Sequence, residues 1–435
     1  LDYWRVWDES GSFSSIIAAY KEIHPFVTIN YKLLRYDEYE QKLLEAFASD
    51  RAPEIFSVHN TWTRKYQNRG WIMPMPSKIT MAYPIVKSTF GKEEIISEVR
   101  TKVSPNLNTI KEKFVDVVYD DIVISGVHPK TKKTTKDVYG MPMGIDTLIM
   151  FVNRDLFNNA GITAIPKYWN EDFQQTVRKL TKQDNKGQII QAGVALGGGE
   201  NVERSSDILA ALMMQNGTEM MNLDNTVVTF AEESNNSKSE SKNPGLDALR
   251  FYSDFANPAK EVYTWNNTMD DSLDLFIRGK VAIMFGYSYM LPQIKNGNPK
   301  MNLVVSRLPQ IEDNIPVNYA NYWIETVSSK GENTDIAWDF LLFASEAEQA
   351  NKYLKKTNKL TAIRSVVDLQ KQDLEIGPYA EQVLTAKSWY KGNDSNTAEA
   401  SMRSMVESVI GGKNIAADAL EATADKIQQT VNVSF

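Results

Sequence analysis

The first sixty residues alternate between two hydrophobic periods, and that alternation constrains the fold more than any other feature of the chain. Residues 1–7, Leu-Asp-Tyr-Trp-Arg-Val-Trp, predict a strand; 13–24 predict a helix, 26–34 a second strand, 38–49 a second helix and 54–58 a third strand. A β-α-β-α-β order builds a parallel sheet with helices on its faces, because parallel neighbours need a long crossover. Pro25 and Pro53 each follow a predicted helix, where the chain must turn, and Asp37 with Glu40 three residues on predicts a capping box opening the second helix.

At 435 residues the chain is too long for one core, so two or three domains are expected. It carries 48 Lys plus Arg against 55 Asp plus Glu, a formal charge of −7, without a long basic run, which argues against a nucleic-acid partner. The longest apolar stretches, 281–285 and 121–127, fall short of the ~18 to 20 residues a membrane-spanning helix needs. Cysteine is absent, which excludes disulfides, thiolate metal sites and cysteine nucleophiles. Leu1 already stands in a strand-like run, so a leader segment, with a lipid-anchoring cysteine as one form of it, is expected upstream.

Further along, 79–136 reads as less regular, with 129–136 (Pro-Lys-Thr-Lys-Lys-Thr-Thr-Lys) a solvated loop. Residues 138–146 form a Gly- and Pro-broken extended stretch running into an apolar strand at 147–152, the pattern of a crossing between lobes. Helices at 153–160 and 169–180, a turn at 184–187, a strand at 189–196 and a helix at 246–255 predict a second α/β lobe. Residues 234–242 read as a flexible stretch, and from 338 onward the text is mostly helical.

The residues of catalysis are sparse. His24 and His128 are each followed by proline, and His59, at the end of a predicted strand, reads more simply as a hydrogen-bonded loop residue than as a general base. No zinc-protease helix, phosphate-binding loop or dinucleotide fingerprint is present, so no metal or cofactor is expected. Gly197-Gly198-Gly199 could offer backbone N–H groups to an anion or form a plain strand-to-helix turn, and 184–187 is a surface turn rather than a calcium loop. Paired carboxylates for glycoside hydrolysis remain open, since 55 acidic residues supply pairs in abundance.

Aromatic residues gather where strands end and turns begin: Trp7, Trp62, Trp265, Tyr287, Tyr322, Trp323 and Trp389. In open α/β sheets ligands bind beyond the carboxyl ends of the strands, which places Trp7-Asp8 and residues 57–60 with Trp62 along a cleft wall. Flat rings beside short polar groups suit a sugar, although a large protein also buries tryptophan in its core.

Several segments, in order, resemble the family 1 extracellular solute-binding proteins, the group of maltose-binding-like and multiple-sugar-binding subunits of bacterial ABC importers. Residues 52–57 (Ala-Pro-Glu-Ile-Phe-Ser) and 70–75 (Gly-Trp-Ile-Met-Pro-Met) are similar to the family's early strand and the segment after it. Residues 139–142 (Tyr-Gly-Met-Pro), with 148–157, Ala160-Gly161-Ile162 and 167–172, resemble its crossing into the second lobe, Val152 standing where the family has Tyr. Residues 276–284 followed by Gly286-Tyr287-Ser288 resemble its Gly-Lys strand and ligand-side turn, and 307–309, 338–341 and 386–390 resemble later segments.

The resemblance implies an α/β, two-lobed periplasmic-binding-protein-like fold of type II, each lobe a mixed, mainly parallel sheet flanked by helices, with a ligand cleft at the hinge. By motif position the first lobe is expected to span 1–141 and 311–345 and the second 142–310 and 346–435, with crossings near 140–146, 306–311 and 345–350. The expected ligand-binding residues are Trp7, Asp8, His59, Asn60, Trp62, Asp146, Trp265, Tyr287, Ser288, Tyr322, Trp323 and Trp389. The implied function is capture of a small solute, a sugar or oligosaccharide in the first instance, by a monomeric extracytoplasmic subunit that serves an ABC permease and performs no chemistry. A carbohydrate-active enzyme, or an adhesin or scaffold keeping the same fold, are the alternatives.

Overall fold

A computed structural model describes residues 1–89, 92–127, 132–234 and 242–431. The chain divides into two units, one from Leu1–Ile145 with Asn321–Ile376, the other from Asp146–Ala320 with, among the described residues, 377–431.

The first unit is built on the predicted alternation. Strand β1 (Asp2–Val6) is followed by helix α1 (Ser10–Ile23), strand β2 (Asn30–Leu34), helix α2 (Tyr36–Ala48) and strand β3 (Ile55–His59). β1 pairs in parallel with β2, Asp2 to Asn30 through Val6 to Leu34, and with β3 through Tyr3 and Ile55. The strand Trp323–Val327 then adds antiparallel to β3, and Met141–Pro142 closes the sheet. Helix α1 buries Phe13, Ile16 and Tyr20, the i, i+3, i+7 stripe that an amphipathic helix lays on a sheet.

Several expectations are corrected in this unit. The second strand is shorter than expected, and helix α2 begins at Tyr36 with Arg35 as its N-cap. Asp37 therefore lies inside the first turn, where with Glu38 it complements the helix dipole instead of forming a capping box. The stretch read as irregular contains a hairpin of two twelve-residue strands, Lys78–Thr89 and Lys92–Val103; its alternate residues Ile79, Met81 and Tyr83 are buried, and its first strand packs on the helix Thr334–Ala344. A second hairpin pairs Val123–Val127 with Thr134–Val138, so the last residues of the expected loop at 129–136 are strand, while 129–131 and His128 lie outside the described residues. Helix Ala347–Thr357, expected in the second lobe, packs on α1, with the Tyr353 and Phe13 ring centroids 5.0 Å apart. Conversely, 311–320 belongs to the second unit, and the chain passes between units at 145/146, 320/321 and 376/377.

The second unit carries a mixed sheet in the order Lys182–Gln183, Ile189–Val194, Val281–Gly286, Ile149–Asn153, Leu303–Arg307, with only the pair 189–194 and 281–286 parallel. Several of its helices open on side-chain caps that satisfy otherwise orphaned N–H groups, among them Asn153 for Arg154–Asn159, Asn170 for Glu171–Leu180 and Asn243, with Pro244 in the first turn, for Pro244–Asp254. The expected flexible stretch 234–242 lies largely outside the described residues. No helix among the described residues is long and apolar enough to cross a membrane.

Candidate binding surfaces

In the first unit the carboxyl ends of the strands carry a band of aromatic rings. Trp7 follows β1, Tyr36 follows β2, and His59 ends β3. Trp7 is 58% and Tyr36 51% exposed, and their rings stack with centroids 5.0 Å apart at 25°. Tyr36 meets Trp323 edge-on at 6.3 Å, and Trp323 meets His59 at 5.5 Å and Trp62 at 5.4 Å. Trp323 is set opposite His59 in the sheet register, so its place follows from backbone pairing.

Polar groups at this end are fixed by short bonds. His59 Nδ1 accepts from Thr61 Oγ1 at 2.8 Å and Nε2 donates to Asn321 Oδ1 at 3.1 Å, which assigns the ring proton to Nε2. Asn60 Nδ2 and the Tyr322 hydroxyl both donate to Asp121 Oδ2, at 3.1 and 2.6 Å; burial, then Asp121, pushes the Tyr322 hydroxyl well above its usual range. Asn60 Oδ1 is buried without a hydrogen-bond partner among the described residues.

Asp8 accepts from Lys359 Nζ at 2.7 and 2.8 Å, from the Tyr353 hydroxyl at 2.8 Å and from Arg5 Nη2 at 3.2 Å. Arg5 also reaches Glu325 at 3.0 Å, and Ser57 Oγ donates to Glu325 at 2.7 Å. Burial opposes the Asp8 charge, but Arg5 and Lys359 outweigh it and hold the carboxyl below its usual value. Two cations thus face two carboxylates, and this inner network is neutral.

The second unit gathers a separate polar cluster after Val281–Gly286. Ser288 Oγ donates to Asp146 Oδ2 at 2.6 Å, and the Asp146 Oδ1 accepts from Thr147 N at 2.9 Å. The Tyr287 hydroxyl donates to Asp207 at 2.6 Å, Arg204 holds the same carboxylate at 2.8 Å and lies 3.7 Å from Glu399, and the half-exposed Tyr289 stacks on Tyr287 with centroids 5.9 Å apart. Burial raises the Glu399 carboxyl above its usual value.

Of the expected ligand residues, the structure brings Trp7, His59, Trp62 and Trp323 into one band in the first unit, and Asp146, Tyr287 and Ser288 into one cluster in the second. Asp8, Asn60 and Tyr322 serve internal bonds beside the band. Trp265 is fully buried, its Nε1 donating to Asn201 Oδ1 at 2.9 Å, and Trp389 is buried edge-on to Phe230 and Tyr390. The amides of Gly199 and Glu200 donate to Glu407 Oε1 at 2.7 and 3.1 Å, so the chain's own carboxylate takes the place of an external anion. The turn at 184–187 is a side-chain-closed turn, Asp184 Oδ1 accepting from the backbone of Lys186 and Gln188. His24 is buried against Asp339, and no described cluster of His, Cys, Asp and Glu is placed to hold a metal.

Sequence reasoning missed Tyr36, Arg204, Tyr289, Tyr353 and Lys359. Tyr36 follows β2 just as Trp7 follows β1, so the strand-end rule applied to each strand would have found it. The others carry no local signal.

Two α/β units, with aromatic rings beyond the strand ends of one and a polar cluster in the other, define the class of two-lobed solute-binding folds. Residues 7–351 match the family model described as bacterial extracellular solute-binding protein. A protein of Brucella abortus named as a binding protein is 21% identical over 344 residues, 78% of this chain and 70% of that one. Among solved structures, the cyclic α-maltosyl-1,6-maltose binding protein of Arthrobacter globiformis superposes with a TM-score of 0.75 at 17% identity, covering 99% of this chain and 98% of that one. An ABC transporter solute-binding protein of Thermotoga lettingae, bound with α-D-tagatose, gives 0.69 at 17% identity, covering 99% of each chain. The chain belongs to the bacterial extracellular solute-binding protein family.

Proposed function

We propose that this protein captures a neutral sugar or oligosaccharide outside the cytoplasm, closes its two units on it and delivers it, unchanged, to the membrane subunits of an ABC importer. The observation that carries the ligand class is the band Trp7–Tyr36–Trp323–His59–Trp62: the half-exposed Trp7 and Tyr36 and the partly exposed Trp323 and His59, backed by the buried Trp62, present ring surfaces that match the C–H faces of a pyranose, beside polar groups that match its hydroxyls. Arg5 and Lys359 are balanced by Asp8 and Glu325 within their own network, so none of these four groups is left over to pair with a uronate or an amine, which favours a neutral ligand. The saccharide ligands named for the structures of like fold agree with this reading. A lipid anchor upstream and a monomeric state belong to the same proposal.

Thermal unfolding against a panel of mono- and oligosaccharides, amino acids, short peptides and nucleosides at ~1 mM tests it. A ligand with a dissociation constant of ~1 μM adds ~4 kcal/mol at that concentration and shifts the transition by several degrees. The expected result is a shift with one saccharide class, recovered chemically unchanged. A shift with amino acids or nucleosides alone, or with nothing in the panel, overturns the carbohydrate assignment, and turnover of the sugar overturns the transport reading.

A further inference from the structure

Trp7 holds a backbone conformation that bulky residues avoid. Its φ is +78°, and Asp8 N–H donates to the Val6 carbonyl at 3.1 Å, closing a three-residue γ-turn of the rare, strained hand. Such strain persists only where the surroundings over-determine it, and it concentrates at functional sites. Here the over-determination falls on the next residue. The Asp8 carboxylate is gripped by Lys359, Tyr353 and Arg5, and its carbonyl accepts from the Tyr31 hydroxyl. Arg5 is itself pinned by Glu325, Ser57 and the face of Phe13, 4.5 Å from the ring centroid.

We propose that Lys359 and Tyr353 are positioning residues for ligand capture: by clamping the Asp8 carboxylate they hold Trp7 in its left-handed turn, with the indole laid on Tyr36, before any ligand arrives. The role rests on the carbohydrate reading above and goes beyond it, because neither residue need touch the sugar. With the clamp intact, binding does not have to order the turn, and that saving appears as affinity. With the clamp released, Trp7 relaxes to ordinary φ values, the Trp7–Tyr36 stack opens, and only the fraction of molecules that re-form it binds.

The full chain, labelled with 5-fluorotryptophan, reads the clamp directly, the Trp7 fluorine resonance being assigned from Trp7→Phe. In Lys359→Met and in Tyr353→Phe the Trp7 resonance moves and broadens, while those of the buried Trp265 and Trp338 stay in place and report an intact fold. Lys359→Arg, which keeps the charge, restores it. Titrated with maltotetraose and mannotriose, Lys359→Met binds about ten-fold more weakly than the wild type. An unmoved Trp7 resonance in both variants, or an unchanged dissociation constant, overturns the proposal. A wild type that binds neither sugar counts against the carbohydrate reading, and the Trp7 resonance still decides whether the clamp exists.

Discussion

Trp323 stands opposite His59 across two antiparallel strands, and their rings lie 5.5 Å apart at 75°. The pairing sets a large aromatic side chain on a strand that is hydrogen-bonded on both sides, at the same end of the sheet as Trp7 and Trp62. A surface built this way is pre-formed, as recognition of a weakly interacting, heavily hydrated ligand such as a sugar requires.

The band should therefore separate binding from folding. Trp323→Ala and Tyr36→Ala are each expected to weaken saccharide binding at least ten-fold, about 1.4 kcal/mol or more, measured by titration calorimetry. Tyr36→Ala, at a half-exposed position, leaves the melting temperature within a few degrees.

The strain at Trp7 has its own signature. Trp7→Gly and Trp7→Ala both delete the indole, but only glycine accepts a φ of +78° without steric cost. The glycine variant is expected to unfold at higher denaturant than the alanine variant, by ~1 kcal/mol. Equal stabilities would mean that the turn relaxes freely and stores nothing.

Much of this was legible in advance, and the limits are physical. The β1-α1-β2-α2-β3 order follows from period and punctuation, and the gathering of Trp7, His59 and Trp62 at one end of the sheet follows from their places at the ends of β1 and β3. The long hairpin was missed although Ile79, Met81, Tyr83 and Ile85 alternate, because its second strand carries Glu98, Arg100 and Lys102 on the face that in a sandwiched strand would be apolar. Helix Ala347–Thr357 was assigned to the other lobe because unit membership is a matter of contacts, which local text does not encode. Lys359 reaches Asp8 across 351 residues of chain, and no spacing rule reports such a meeting. Trp265 and Trp389 show the converse: a tryptophan at a turn looks the same in sequence whether it faces solvent or, as here, the interior.

Arg5 is the centre of the inner network, and its removal leaves Glu325 and Asp8 buried with too little positive charge. Arg5→Met is expected to cost ~3 to 5 kcal/mol, read from urea unfolding, because uncompensated buried charge is far more costly than a missing surface pair. A loss under 1 kcal/mol would show that water or Lys359 compensates.

The acid limb of stability should report Asp8. Its folded-state carboxyl titrates below the ordinary aspartate value of about 3.9, so its contribution is complete above that pH and is lost as pH falls through the folded value. Stability is expected to decline steeply below about pH 4, and Asp8→Asn, less stable at pH 7, should show a shallower decline over the same range. Parallel acid limbs would assign the transition to other carboxylates.

Binding of a neutral saccharide by the aromatic band of the first unit is the proposal from which the other expectations follow. Titration calorimetry of wild type and Trp323→Ala side by side, against maltotetraose, mannotriose and tagatose, tests it most directly. Micromolar or tighter binding of at least one of these to the wild type and at least a ten-fold loss in the variant are expected; no binding of any of them, or equal affinity in both proteins, would overturn the assignment.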